Sequence, residues 1–396
     1  MLPRTLSRSR PNDTSLMDAI THPHARWRVI LATITVVGLS VAVPGCEREP
    51  TIPERLDDST FWTMVNDLSE PGGYFHSDNF VSNELGFQYV ITDLLSTVGT
   101  GGVYVGVGPD QNFTYVAALK PRIAFIVDIR RQNMLQHLMY KALIEMSSDR
   151  AEFLALLFSR NWDTMPPPRL EADSLFSLLG DLERDSTEFD TNLAAIFDRL
   201  TRHHGFALDS ADSASLRYVY ESFFEGGAGL TYSSNSVRGF GARGMPSYRM
   251  LMTATDQDGL NRSYLGSDEA FAILKDLEER NLIVPVVGDF AGPTALRAVG
   301  EWVRKQEAVV DVFYVSNVEQ YLFQQGDAWR RFYGNVANMP RGGRALFIRS
   351  VSNRGWRPRQ HPYARSSSVT SPIDEVLGLY RIGRLQTYAD VIDLSR

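Results

Sequence analysis

Apolar positions along the chain fall into two patterns, and their alternation predicts the fold. Five short runs are continuously apolar: Val103–Val107, Ala124–Val127, Leu282–Val287, Val309–Val315 and Ala345–Ile348. A strand buried on both faces reads this way, whereas a half-exposed strand alternates. Between them the apolar residues recur at helical spacing. Residues 132–147 place Leu135, Leu138, Met139, Ala142, Leu143 and Met146 on one face; 293–306 does so with Leu296, Val299, Trp302 and Val303, and 327–338 with Trp329, Phe332, Tyr333 and Val336. Strands alternating with helices imply right-handed βαβ crossovers and a doubly wound, mostly parallel α/β sheet.

The spacing breaks once. About 150 residues separate the second strand from the third, and most of them read as helix: 149–160, 170–184, 187–203, 213–225 and 267–280. Residues 149–266 are therefore expected to form a mainly helical insertion, packed on the sheet edge or over the site. It divides the α/β domain into 59–148 and 267–396. Residues 226–247 are rich in Gly, Ser and Arg and read as a long loop. Tyr248–Met252 fits a short strand or a helical turn. Residues 351–371 read as a Ser/Arg/Pro loop leading into a capped helix at Ser371-Pro372.

A third pattern stands at the N-terminus. Arg26 and Arg28 precede the apolar run Val29–Val43. Fifteen helical residues span only about 22 Å. A bilayer core is about 30 Å thick, so the run suits a signal-peptide core rather than a stable span. The run ends at Val43-Pro-Gly-Cys46, which resembles a bacterial lipobox, and Cys46 is the only cysteine in the chain. On this reading 1–45 is a lipoprotein signal peptide (with Met17 as an alternative start) and Cys46 carries lipid. Residues 46–58 are then a polar tether, and the mature protein is anchored in the bacterial cell envelope, facing the periplasm or exterior. The membrane is one partner, and an envelope protein or a small-molecule ligand is the other.

Composition narrows the chemistry. A lone cysteine excludes an intramolecular disulfide and a Cys-rich metal site. The net charge is −7, and removing 1–45, with its five Arg and two Asp, takes it to −10. An acidic body of this kind is not expected to bind nucleic acid. Neither a Gly-x-Ser-x-Gly elbow nor a phosphate-binding Gly-x-x-x-x-Gly-Lys loop occurs. His203-His204 would point about 100° apart on a regular helix, a poor geometry for a metal.

Open parallel sheets bind ligands beyond the carboxyl ends of their strands. The candidates are therefore Gly106, Gly108 and Asn112 after the first strand, Asp128 after the second, Asp289 and Phe290 after the third, and Ser316, Asn317 and Glu319 after the fourth. Each has a plainer reading. The glycines can serve only the turn, Asp128 can pair with Arg130 or Arg131, and Asp289, Ser316 and Asn317 can cap helices.

The order of these elements resembles the core of class I S-adenosylmethionine-dependent methyltransferases. The resemblance covers roughly 103–148 and 282–350. It implies that Gly106 and Gly108 lie under the methionine part of the cofactor, that Asp128 holds the ribose and that Asp289, with Phe290, meets the adenine. In an active enzyme Glu319 or Asp289 could act as base, and no residue is assigned a catalytic role. The sequence departs from that family at Asp110, where a third small residue is usual, and at Tyr104, where an acid is usual. The closing pair of antiparallel strands is not evident. The mature chain also resembles an uncharacterised bacterial family through Ser77–Glu84, Gly106–Tyr115, Val127–Arg131, Val286–Pro293 and Tyr314–Tyr321. Together with the envelope address, these departures imply a methyltransferase-like domain that binds a ligand or partner through the former cofactor cleft. An active methyltransferase is the alternative.

Overall fold

The computed structural model describes residues 51–232, 244–353, 360 and 364–395. Cys46, residues 1–45 (read above as a signal peptide) and the centre of the stretch 226–247 lie outside the described residues. Six strands form one sheet in the order β3-β2-β1-β4-β5-β6. They are β1 (Val103–Gly106), β2 (Ile123–Asp128), β3 (Ile283–Val287), β4 (Val310–Ser316), β5 (Arg341–Ser352) and β6 (Ser366–Pro372). The first five run parallel, with register pairs such as Val105↔Phe125 and Phe313↔Phe347. Every residue of β1, β2 and β3 is buried, as their unbroken apolar runs require.

Helices Gln111–Leu119 and Arg131–Met146 carry the chain from β1 to β2 and onward, with Asp268–Glu279 packed against both. Ala295–Lys305 and Ala328–Asn338 make the return crossovers, and right-handed connection puts them on the opposite face. The strand order reverses between β1 and β4, which leaves a crevice there at the carboxyl ends.

β6 corrects the reading of 351–371 as loop. It runs antiparallel to β5 from Leu346↔Pro372 to Ser352↔Ser366, and the helix begins only at Ile373. Ser366-Ser-Ser-Val-Thr-Ser371 offers few strand-forming side chains. Three of its hydroxyls have side-chain partners: Ser367 donates to Asn353 Oδ1 at 2.6 Å, Thr370 to Asp93 Oδ2 at 2.9 Å, and Ser371 accepts from Arg349. Pairing satisfies what the composition hid.

The insertion comprises Arg150–Phe158, Ala172–Gly180, Ser186–Phe197, Ser210–Gly226 and Tyr248–Thr253, the last a helix rather than a strand. It packs against the Arg131–Met146 helix, and its Tyr232 reaches the cleft described below. Phe153, Phe158 and Phe223 are fully buried there, and Phe223 meets Tyr140 at 5.8 Å; Tyr218 stays largely exposed. Because that helix is covered on all sides, its polar residues Asn133, Gln136, His137 and Lys141 are buried too. Residues 51–57, part of the stretch read as a tether, lie against the domain. Ile52 and Leu56 are buried, and Thr51 and Leu56 donate backbone N–H groups to Gln306 and Arg280 carbonyls.

Candidate functional site

A cleft of about 940 Å³, counting its open mouth, lies beyond the carboxyl ends of β1 to β4. Gly108, Asp128, Asp289, Phe290, Ser316 and Asn317 all line it. Gly106 and Asn112 do not; they build the turn beneath it.

Asn112 is fully buried at the start of its helix. Its Nδ2 donates to the carbonyls of Val107 (2.9 Å) and Pro109 (2.7 Å), and its Oδ1 accepts from Tyr104 OH at 2.8 Å. A Cβ on Gly106 would collide with that Oδ1 and with the Tyr104 ring, so glycine here makes room for Asn112. Gly108 has φ +81°, a conformation that favours glycine. Tyr104, the departure from the acidic residue of methyltransferases, thus serves the Asn112 clamp. Asp110, the other departure, turns into the core and accepts from Tyr264 OH at 2.9 Å. Burial pushes its carboxyl up to about 7, against the hydrogen bond from Tyr264.

Asp128 ends β2 and is committed to Arg130. Its Oδ1 accepts the backbone N–H (2.9 Å) and Nε–H (3.0 Å) of Arg130, and its Oδ2 accepts Nη2–H at 2.8 Å. Both side chains are buried. Arg130 Nη1 reaches on to the Asp78 carbonyl. Two of the four acceptor directions of a carboxylate are therefore filled on one oxygen and one on the other. A ribose diol would meet one open acceptor direction on Oδ2 and none on Oδ1. Arg131 pairs instead with Asp212, at 2.6 Å.

After β3, Asp289 Oδ1 accepts from Ala291 N at 2.9 Å, closing a local turn, while the helix itself starts at Ala295 with Thr294 as its N-cap. Glu70 accepts from the backbone N–H of Asp289 and of Thr294. Phe290 is stacked on Phe332 at 5.6 Å and edge-on to Phe313 at 5.1 Å, so most of its ring belongs to the core.

After β4, Ser316 has φ +51°, an uncommon backbone for a non-glycine residue. Its Oγ donates to Glu84 Oε1, which also accepts from Tyr314 OH at 2.9 Å; Gln111 Nε2 donates to Glu84 Oε2 at 3.1 Å. Burial raises the Glu84 carboxyl, against those three donors. Glu84 was not singled out from sequence, although the density of polar residues in Ser77–Glu84 was the available signal. That segment borders the cleft through Asn79, Ser82, Asn83 and Glu84. Asn79 also has positive φ (+52°), and its Oδ1 is buried without a hydrogen-bond partner among the described residues. Glu319 points away from the cleft chemistry: it is buried between Arg349, whose Nη2 donates at 3.0 Å, and Tyr333 OH at 2.5 Å. Both of its carboxylate oxygens are engaged by these buried partners, and it is not among the residues that line the cleft.

The mouth is aromatic. Tyr74, Phe75, Tyr232 and Tyr321 line it, with Phe75 edge-on to Tyr321 at 5.4 Å. Tyr74 is 85% exposed. Sequence reading missed this rim because its members come from three separated segments. The site therefore combines flat apolar walls with a floor of carboxylate, hydroxyl and amide groups.

A family described as a domain of unknown function (DUF7790) matches residues 79–165 and 171–377. No curated protein matches the chain by sequence.

Proposed function

The chain belongs to that DUF7790 family, and we propose that it is a ligand-binding protein with a methyltransferase-like Rossmann core that does not transfer methyl groups. Its ligand is a small molecule with a flat ring and a donor-rich polar part, of the nucleoside kind. The observation that carries this reading is the composition of one cleft. Tyr74, Phe75, Tyr232 and Tyr321 offer ring-stacking surfaces, and Asp289 and Asn79 Oδ1, the latter without a hydrogen-bond partner among the described residues, offer acceptors. The strand order 3-2-1-4-5 with an antiparallel neighbour supports kinship with methyltransferases. The Asp128–Arg130 pair argues against their mode of holding ribose.

The same proposal places the protein in the bacterial envelope on lipidated Cys46. Its support is the apolar run 29–43 followed by Val-Pro-Gly-Cys. Metabolic labelling with a fatty-acid analogue tests this directly: Cys46→Ser should abolish labelling and release the protein from membranes. An unlabelled, unprocessed protein in the soluble fraction refutes it.

The second reading, an active methyltransferase, is favoured by four of its expected positions (Gly108, Asp128, Asp289 and Phe290) meeting on one cleft. Incubation with S-adenosylmethionine and extracted envelope components separates the two. Our reading predicts no S-adenosylhomocysteine above the blank, and catalytic release of it would replace our reading with the second.

A further inference from the structure

We propose that His204, His203 and Asp58 form a binding site for a borderline divalent transition-metal ion such as zinc. It lies at the far end of the Arg131–Met146 helix from the cleft. Arg130 and Arg131 mark the cleft end of that helix and Glu145 the other, about 20 Å apart at the helical rise.

Adjacent histidines diverge on a regular helix, but here they stand on an irregular one. Asp198–His203 forms a π-helical turn, and His204 N–H donates to the Arg199 carbonyl at 3.0 Å. The extra residue in the turn re-aims the side chains, as π-bulges do at functional sites. The two imidazoles end 4.8 Å apart between centroids. One ligand atom from each of Asp58, His203 and His204 lies within 4.8 Å of the others. Tetrahedral zinc with bonds of about 2.0–2.1 Å sets ligand atoms about 3.3 Å apart, so His203 must move inward and the 2.8 Å contact between Asp58 and His204 must open slightly. His203 is exposed and can swing inward without disturbing the core.

The surroundings are those of a metal-bound imidazole. His204 is stacked on Phe206 at 5.1 Å with 14° between planes, which fixes its ring. Its Nε2 lies 2.6 Å from Glu145 Oε2, and its Nδ1 lies 2.8 Å from Asp58 Oδ1. With Nε2–H donating to Glu145, the Nδ1 lone pair faces a carboxylate lone pair. That contact is repulsive unless Nδ1 also carries a proton or a cation lies beside the pair, and a metal ion would take the place of that proton. Carboxylate–histidine–metal arrangements use this second-shell contact to set the tautomer. Glu145 is already balanced by Lys141 at 2.7 Å. Asp58 is oriented by Asn281 Nδ2 at 2.9 Å and forms an ion pair with no Lys or Arg among the described residues. Two imidazoles and one carboxylate suit zinc better than calcium or magnesium, and a fourth position opens to solvent through the surface recess these residues line. A metal there would tie the Asp58–Asp67 helix to the insertion.

The test uses the full chain carrying Cys46→Ser, stripped with chelator and titrated with zinc chloride by calorimetry, with cobalt(II) as spectroscopic reporter. We expect one tight site, a higher thermal midpoint with zinc, and a cobalt ligand-field spectrum without thiolate charge transfer. His203→Ala lies on the surface and should fold normally; it should weaken zinc at least about tenfold. Glu145→Gln should weaken it about 10- to 100-fold, and His76→Ala should not change it. Absence of a stoichiometric site, or zinc binding unchanged by His203→Ala and by Asp58→Asn, overturns the proposal. So does a midpoint that responds to pH alone and not to zinc, which would leave His204 as a protonated clamp between two carboxylates.

Discussion

Replacing Asp128 by alanine separates the two roles that this residue could hold. If its carboxylate exists to hold a ligand, the substitution abolishes binding and leaves the fold intact. The structure argues the other way. Asp128 and Arg130 are each about 6% exposed at the side chain and share three hydrogen bonds. Removing one partner of a buried pair costs about 3–5 kcal/mol, because the remaining charge is stranded. Arg130 keeps carbonyl contacts to Ser77 and Asp78, so the low end, about 3 kcal/mol, applies. Against a total stability of about 5–15 kcal/mol that is a large fraction. With a urea m-value of about 3 kcal/mol/M, the unfolding midpoint should fall by about 1 M at unchanged m. Arg130→Met alone should cost a similar amount. The double variant should be no worse than either single one, a coupling above about 1.5 kcal/mol. A loss below about 1 kcal/mol in Asp128→Ala, together with lost ligand binding, would refute the structural assignment and return Asp128 to the ligand.

Three further outcomes follow from the same geometry. Gly106→Ala should lower the thermal midpoint measured by circular dichroism, because its Cβ overlaps Asn112 Oδ1; an unchanged midpoint would mean that the Asn112 clamp is dispensable. Glu319→Gln strands fully buried Arg349 and should cost about 3 kcal/mol or more in urea unfolding; a stable variant with altered binding would put Glu319 in the site instead. The Asp110 carboxyl is raised by burial to about 7 in the folded state. The folded protein therefore holds a proton that the unfolded chain releases near pH 4, and stability declines as pH rises between about 4 and 7. Asp110→Asn should flatten that slope, gaining on the parent at pH 8 and losing the gain near pH 4. Parallel curves would refute the assignment.

Most of the architecture was legible because burial on both faces writes continuous apolar runs. β1 to β4 and the flanking helices fall within a residue or two of their sequence patterns, and the core of β5 was also found. β6 was not legible: its stability comes from hydroxyls paired one at a time with Asn353, Asp93 and Arg349, partners 14 to 277 residues away in sequence or brought close only by folding. The site was half legible. The rule that ligands gather at strand ends found Gly108, Asp128, Asp289, Phe290, Ser316 and Asn317. It could not show that Asn112 clamps the turn from beneath, whereas the pairing of Asp128 with Arg130 is among the plainer readings the sequence offers. Nor could it show Glu84 reaching Ser316 across 232 residues. The π-helical turn that brings the His203 and His204 rings to 4.8 Å likewise leaves no periodic trace in the sequence.

The most direct test of the central claim is a calorimetric titration of the purified protein with adenosine, S-adenosylmethionine and S-adenosylhomocysteine, repeated on Tyr321→Ala and on Asn317→Trp, which fills the cleft. The account predicts micromolar binding of a nucleoside-type ligand, weakened by Tyr321→Ala and abolished by Asn317→Trp, with no methyl group consumed. No binding of any of the three at millimolar concentration, or binding that Asn317→Trp leaves unchanged, would contradict it.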